Sequence, residues 1–371
     1  MVSRQEELQK KMMQHAKILV DHSVKVRPDD NVLIRYEDYG LELAKAVAEL
    51  SSRRGALPMI YQVPSSFFRS VYKLTPEHNL SKTPRNLYSA VIASDVIVQI
   101  RGEENLTALK DVEKNRMKLR AMATKPISDA QVGKRWVLTQ FPCPSYAENA
   151  GMSLGDYEDF VYGAVLKDWK AEKKRLKVVE RLMNETSEVR ILGKDTDLTL
   201  SIKGRKAFSD FGEKNMPGGE VFTTPVENSA NGYISFDLPI ISSGNEASGI
   251  RLEFSKGRVV DYKAAEGQEF LKSQIETDEG SDRLGEFAIG MNYGINRFTK
   301  NILFDEKMGG TIHAALGRGF PFCRGKNESA IHLDMINTMK DGELLFDNKT
   351  VLLGGKLVIP PQERQGGYGQ A

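Results

Sequence analysis

Apolar residues recur at helical spacing over residues 4–25 (Leu8, Met12, His15, Ile18, Leu19, His22), which predicts an opening amphipathic helix. PDDN then supplies a turn, and the pattern changes to short apolar runs alternating with helical ones. NVLIRY reads as a buried strand, LELAKAVAELSSRRG as a helix ended by Gly55, and LPMIYQV as a second strand. The alternation recurs with a helix near 86–91, the strand SDVIVQIRG, a helix from 105 to 122 and the strand KRWVLTQFP. Strands and helices alternating at these lengths predict an α/β N-terminal part, a largely parallel sheet with flanking helices.

The pattern then shifts. Residues 154–184 form one long, highly charged helical stretch. Beyond about 187 come short strands and glycine turns: EVRILGK, DLTLSIKGR, GYISFDLP and IRLEFSKGRVVDYKA. This predicts an α+β C-terminal domain with mostly antiparallel strands, and places a boundary near residue 186, giving domains 1–186 and 187–371. The tail QERQGGYGQA reads as frayed.

Composition narrows the function classes. The 371 residues are 40% hydrophobic with a net charge of +2, which fits a globular protein and gives no basis for binding nucleic acid or an anionic membrane. Cys143 and Cys323 lie in different halves and in no metal-binding spacing, so they read as reduced thiols. The N-terminus lacks an apolar signal-peptide core and no later stretch approaches a membrane span. The expected setting is the cytoplasm.

Chemistry concentrates after the boundary. IHLDMIN reads as a strand, so alternation puts His332 and Asp334 on one face and Ile331, Leu333 and Met335 on the other. TIHAAL behaves similarly, with Thr311, His313 and Ala315 on one face and small residues leaving room beside the imidazole. Glu220 in PGGEVFTTP and Glu286 in RLGEFAIG each enter an apolar run just after glycine. A carboxylate there is costly unless paired or metal-bound, although a solvated residue at a strand or helix start would look the same. Alone, either histidine is more readily read as structural, and either glutamate is read equally well as structural. Together, Glu220, Glu286, His313, His332 and Asp334 match the donor set for two divalent metals about 3.5–4 Å apart with a bridging carboxylate. Imidazoles and carboxylates with no nearby cysteine suit zinc, cobalt or manganese.

Competing motifs fail on inspection. The chain has no HExxH, no GxGxxG after the first strand and no GxSxG elbow. GFPFCRGKN has the wrong glycine spacing for a phosphate loop, with Asn327 in place of Ser or Thr.

The ordered motifs PGGEVFTTP, LGEFAIGMN, GGTIHAALGRGFP and KNESAIHLDM resemble the M29 family of metallo-aminopeptidases, of the aminopeptidase T and S type. The resemblance extends to LVDHSVKVRPDDNVLIRYEDYGLELAKAVAEL and AENAGMSLGDYEDFVYGA, and so covers most of the chain. It implies a dinuclear site with zinc or cobalt, a peptide substrate and a homodimer. It places the same five residues at the ligand positions, with Glu286 as the bridge, and adds Glu306 as the acidic residue shortly before the first ligand histidine. Glu220, Glu286 or Glu306 would then relay the proton.

One position departs from the family. Seven residues after the first ligand histidine the family carries a tyrosine that can donate to a developing oxyanion, whereas this chain has Phe320. Losing one such donor costs on the order of 10²- to 10³-fold in rate. Arg318 and Lys326, nearby in sequence, are the candidates to substitute. The expected activity is metal-dependent removal of N-terminal residues from peptides. The alternatives are a metallohydrolase of the same fold acting on another amide or small metabolite, and a non-catalytic binding or scaffold protein.

Overall fold

The computed structural model describes residues 3–242 and 244–358. Helix α1 (Arg4–Ile18) opens on a capping box: the Ser3 hydroxyl accepts the Glu6 amide, and the Glu6 carboxylate accepts the Ser3 amide. Leu19–Ser23 continues it as a wider π-helical turn, so the predicted helix is present with its last turn loosened. The chain then runs through β1 (Asn31–Tyr36), α2 (Leu41–Arg53), β2 (Leu57–Gln62), α3 (Ser65–Leu74), α4 (Glu77–Leu80), α5 (Arg85–Ala93), β3 (Val96–Arg101), α6 (Lys114–Val132) and β4 (Arg135–Gln140). The four strands pair in parallel in the order β2-β1-β3-β4.

Three details differ from the sequence expectation. The helix expected over 105–122 begins only at Lys114 and runs to Val132 through Pro126. Before it, residues 105–112 run through successive turns, with the amides of Ala108, Lys110 and Val112 bonded three residues back to the carbonyls of Asn105, Thr107 and Leu109. The helix α3 has no counterpart in the sequence expectation, and its Phe68 and Tyr72 face Arg35 and Gln99 of the sheet across a cavity. The long stretch over 154–184 is two helices, Leu154–Val165 and Trp169–Glu185, separated where Asp168 turns to cap the second by accepting from Lys170 and Ala171.

From Glu188 onward the strands pair antiparallel, in an eight-stranded, a five-stranded and a two-stranded sheet, apart from one return. The two-residue strand Asn215–Met216 pairs in parallel with β4, so a segment beyond residue 186 completes the N-terminal sheet. Buried Asn292 ties the parts together, donating to the carbonyls of Ala164 (3.1 Å) and Gly218 (2.9 Å). Apolar residues from both parts pack in one contiguous cluster, from Val32 and Val98 to Phe287 and Leu352. Among the described residues no helix is long and apolar enough to cross a membrane. The tail expected to fray, residues 362–371, lies outside the described residues.

Candidate metal centre

The five-stranded sheet carries the candidate residues on one face. Its strands are Phe208–Asp210, Glu220–Thr223, Leu284–Gly290, Ile312–Gly317 and His332–Asn337, and the last four lie side by side. Register fixes what faces what. Glu220 pairs with Gly290, Glu286 and Asp334 with Ala315, His313 with Ala288 and His332 with Gly317. Each candidate ligand thus has a glycine or alanine as a cross-strand neighbour, which opens space among five large polar side chains.

The aim of Glu286 depends on a bulge. Leu284 pairs with Leu316 and Glu286 with Ala315, so Gly285 is an extra residue on its strand. Strict alternation would put Leu284 and Glu286 on one face. The bulge sends Leu284 to the core and Glu286 to the site. A Cβ at Gly285 would lie 2.4 Å from the carbonyl oxygens of both Arg318 and Gly317, so only glycine fits.

The polar atoms converge. Glu286 Oε2 is 2.9 Å from His332 Nε2, and its Oε1 is 3.6 Å from His313 Nε2. Glu220 Oε2 is 3.5 Å from the same His313 nitrogen, and Asp334 Oδ1 is 3.5 Å from His332 Nε2. Three overlapping sets each bring donor atoms within 4.8 Å of one another: Glu220–Glu286–His313, Glu286–His332–Asp334 and Glu306–His313–Asp334. His332 Nδ1 lies 2.9 Å from the carbonyl oxygen of Arg318, and donating to it turns Nε2 towards the centre. His313 is fully buried, yet among the described residues neither ring nitrogen has a hydrogen-bond partner, and Asp334 Oδ1 likewise has none. Buried polar atoms left in this state are what a cation satisfies.

Electrostatics point the same way. Burial pushes the Glu220 carboxyl up to about 8. Burial opposes protonation of the imidazoles, but the surrounding carboxylates lift His313 to about 9 and His332 to about 11. The Glu286 carboxyl is also pushed up by burial, but the two imidazoles beside it hold it below the usual range. The site as a whole therefore attracts positive charge.

Two residues that sequence reasoning missed join the cluster. Lys307, with 0% exposure, places Nζ 3.3 Å from Glu220 Oε1 and also bonds Glu306. Asp210, on the edge strand opposite Glu220, has a buried and unpartnered Oδ2 and is pushed by burial up to about 6. Neither carried a signal in the sequence, since lysine and aspartate in FDEKMGG and FSDFGEK read as surface residues.

The three expected substrate residues separate. The Phe320 ring sits 5.1 Å from that of His332 and stacks on Phe322 at 5.2 Å, with Phe222 edge-on at 5.7 Å, so an aromatic wall borders the centre. Arg318 enters through its carbonyl and its side chain is exposed. Lys326 is exposed and engages Glu227 through its backbone amide at 2.7 Å.

Residues 8–350 match the family described as thermophilic metalloprotease (M29). Aminopeptidase 2 of Geobacillus stearothermophilus is 24% identical over 384 residues, covering 88% of this chain and 92% of its own. The solved wild-type AmpT from Thermus thermophilus superposes with a TM-score of 0.83 at 22% identity, over 94% of this chain and 99% of that one. The 2,5-dihydroxypyridine dioxygenase of Pseudomonas putida shares the fold at a TM-score of 0.64 and 16% identity, over 98% and 99%.

Proposed function

The chain belongs to the thermophilic metalloprotease (M29) family and is a metal-dependent aminopeptidase, and we propose that two divalent cations held on either side of Glu286 serve its reaction. The observation that carries this reading is the division of Glu286 between two histidines. One carboxylate oxygen faces His313 beside Glu220, and the other faces His332 beside Asp334. Charge favours cation binding, because the carboxyls of Glu220, Glu286, Glu306 and Asp334 outnumber the Lys307 ammonium beside them.

Glu220 and His313 would hold one ion and His332 and Asp334 the other, with Glu286 common to both. Bound there, the ions would polarise the scissile carbonyl, lower the pKa of a water towards neutrality and anchor the free N-terminal amine. The remaining work falls to the protein. Glu306 is the carboxyl left over when both sets are filled. Burial raises its proton affinity, so it suits accepting a proton from the attacking water and returning it to the leaving amine. Lys307 holds that carboxylate in place. The aromatic wall of Phe222, Phe320 and Phe322 borders the space where an N-terminal side chain would lie.

Zinc or cobalt, with manganese as a third choice, suits these donors. A homodimer, a cytoplasmic setting and a domain division near residue 186 belong to the same proposal. The test is amino-acid release from short peptides before and after chelation, with Glu286→Ala as control. Metal-dependent release that Glu286→Ala abolishes is expected, whereas release indifferent to both treatments overturns the reading.

Phe320 favours a second reading, in which the same centre acts on a different amide or small metabolite. It supplies no hydroxyl where the family has one, and a fold does not by itself fix a reaction. Peptide release that emerges only in Phe320→Tyr would support it.

A further inference from the structure

The N-terminal sheet holds a second site, away from the metal centre. One face of the sheet is solid core, built from Val32, Ile34, Val96 and Val98. On the opposite face only Leu33, Val91, Ile97 and Ile127 form a small buried cluster, near the beginnings of the strands. Towards the strand ends that face turns polar. Tyr61, Arg35 and Gln99 stand in register across β2, β1 and β3. Central strands of a parallel sheet covered on both faces are normally apolar throughout, and NVLIRY and VIVQIR break that run at matched positions.

These residues floor a cavity of about 590 Å³ roofed by α3, α5 and α6. The size suits a small organic ligand. Its place in the topology is equally telling. With strand order 2-1-3-4, the chain reverses direction of winding between β1 and β3, the place in open α/β sheets where ligands gather. Here the cavity lies on the sheet face at that reversal, running from Leu33 and Ile97 to Arg35 on β1 and Gln99 on β3.

The lining specifies the ligand. Among the described residues the cavity's charged groups are Arg35 and Arg120, with no carboxylate on its walls. Arg35 is held by Glu37 at 3.2 Å and lies 5.8 Å from the centroid of Phe68. Gln99 is oriented by its amide donating to Gln131 at 2.9 Å. Phe68, Tyr61 and Tyr72 supply flat aromatic walls. A phosphate would normally sit at the start of the helix after β1. Here that loop carries Glu37 and Asp38, and the Asp38 carboxylate already accepts the amides of Ser65 and Glu104. The anion must instead meet the arginine side chains, which bind carboxylates through paired donors. We propose that this cavity binds a small planar carboxylate, its ring between the aromatic walls and its charge on Arg35 and Arg120.

Calorimetric titration of the full chain with 2-naphthoate and its neutral counterpart 2-naphthylmethanol tests the site. One 2-naphthoate per chain is expected, bound about tenfold or more tighter than the alcohol, as one charge-assisted pair supplies. Arg35→Met should erase that preference. Ala90→Trp, which leaves every charge in place but fills the cavity from α5, should abolish binding of both while thermal melting stays near that of the parent. Absence of saturable 2-naphthoate binding, equal affinity for acid and alcohol, or undiminished binding in Ala90→Trp overturns the proposal.

Discussion

Lys307 Nζ lies 3.3 Å from Glu220 Oε1 in a place where the lysine has no solvent exposure and the glutamate 6%. An ammonium this deep persists only when paired, and removing one member of such a pair typically costs about 3–5 kcal/mol because the other charge is stranded. Lys307→Met should therefore destabilise the metal-free protein by about that amount in urea unfolding. The loss should shrink when zinc is added, since cations at the centre would neutralise the same carboxylates. A loss below about 1 kcal/mol would mean that the pair carries little of the local stability.

Phe320→Tyr restores a hydroxyl beside the centre, where the ring already stands 5.1 Å from that of His332. A single oxyanion donor is worth on the order of 10²- to 10³-fold, so kcat on a dipeptide should rise by at least about tenfold with little change in KM. An unchanged kcat would mean that the ring does not border the reacting carbonyl.

Gly285→Ala should disable the site with no polar group altered. The added Cβ meets two backbone carbonyl oxygens at 2.4 Å, so the bulge must open and Glu286 must turn. Zinc affinity measured by competition with a chromophoric chelator should fall by at least about tenfold, the scale typical of disturbed ligand support. Parental affinity in this variant would show that the bulge does not aim Glu286.

His15 offers a pH test remote from the centre. Its Nε2 donates to Thr139 Oγ1 at 2.8 Å, because that hydroxyl is itself spent on the Met216 carbonyl oxygen at 2.8 Å. Nδ1 is left bare and buried, and burial lowers the ring to about 3. A folded-state pKa below the unfolded value near 6.5 gives stability that is present above pH 6.5 and lost as pH falls towards 3. The stability advantage of the native chain over His15→Gln should narrow by about 2 kcal/mol between pH 7 and pH 5. A constant difference across that window would contradict the assignment.

The candidate site was legible in the sequence where local periodicity controls it. Alternation in IHLDMIN correctly put His332 and Asp334 on one face, and the small residues around His313 signalled the space that Ala288 and Ala315 provide. What stayed hidden depends on partners distant in sequence. The phase change at Gly285 is invisible to strict alternation, and Lys307 reads as a surface residue until Glu220 and Glu306 close around it. In the N-terminal part the strands followed from their apolar runs. The start of α6 did not, because residues 105–112 close into successive three-residue turns that apolar periodicity does not distinguish from a helix.

The central claim is that Glu286 stands between two cations. Anomalous scattering from crystals grown with zinc tests it most directly. Two peaks per chain are predicted, one beside Glu220 and His313 and one beside His332 and Asp334, with Glu286 contacting both. A single peak, or peaks that leave Glu286 without a metal contact, would contradict it.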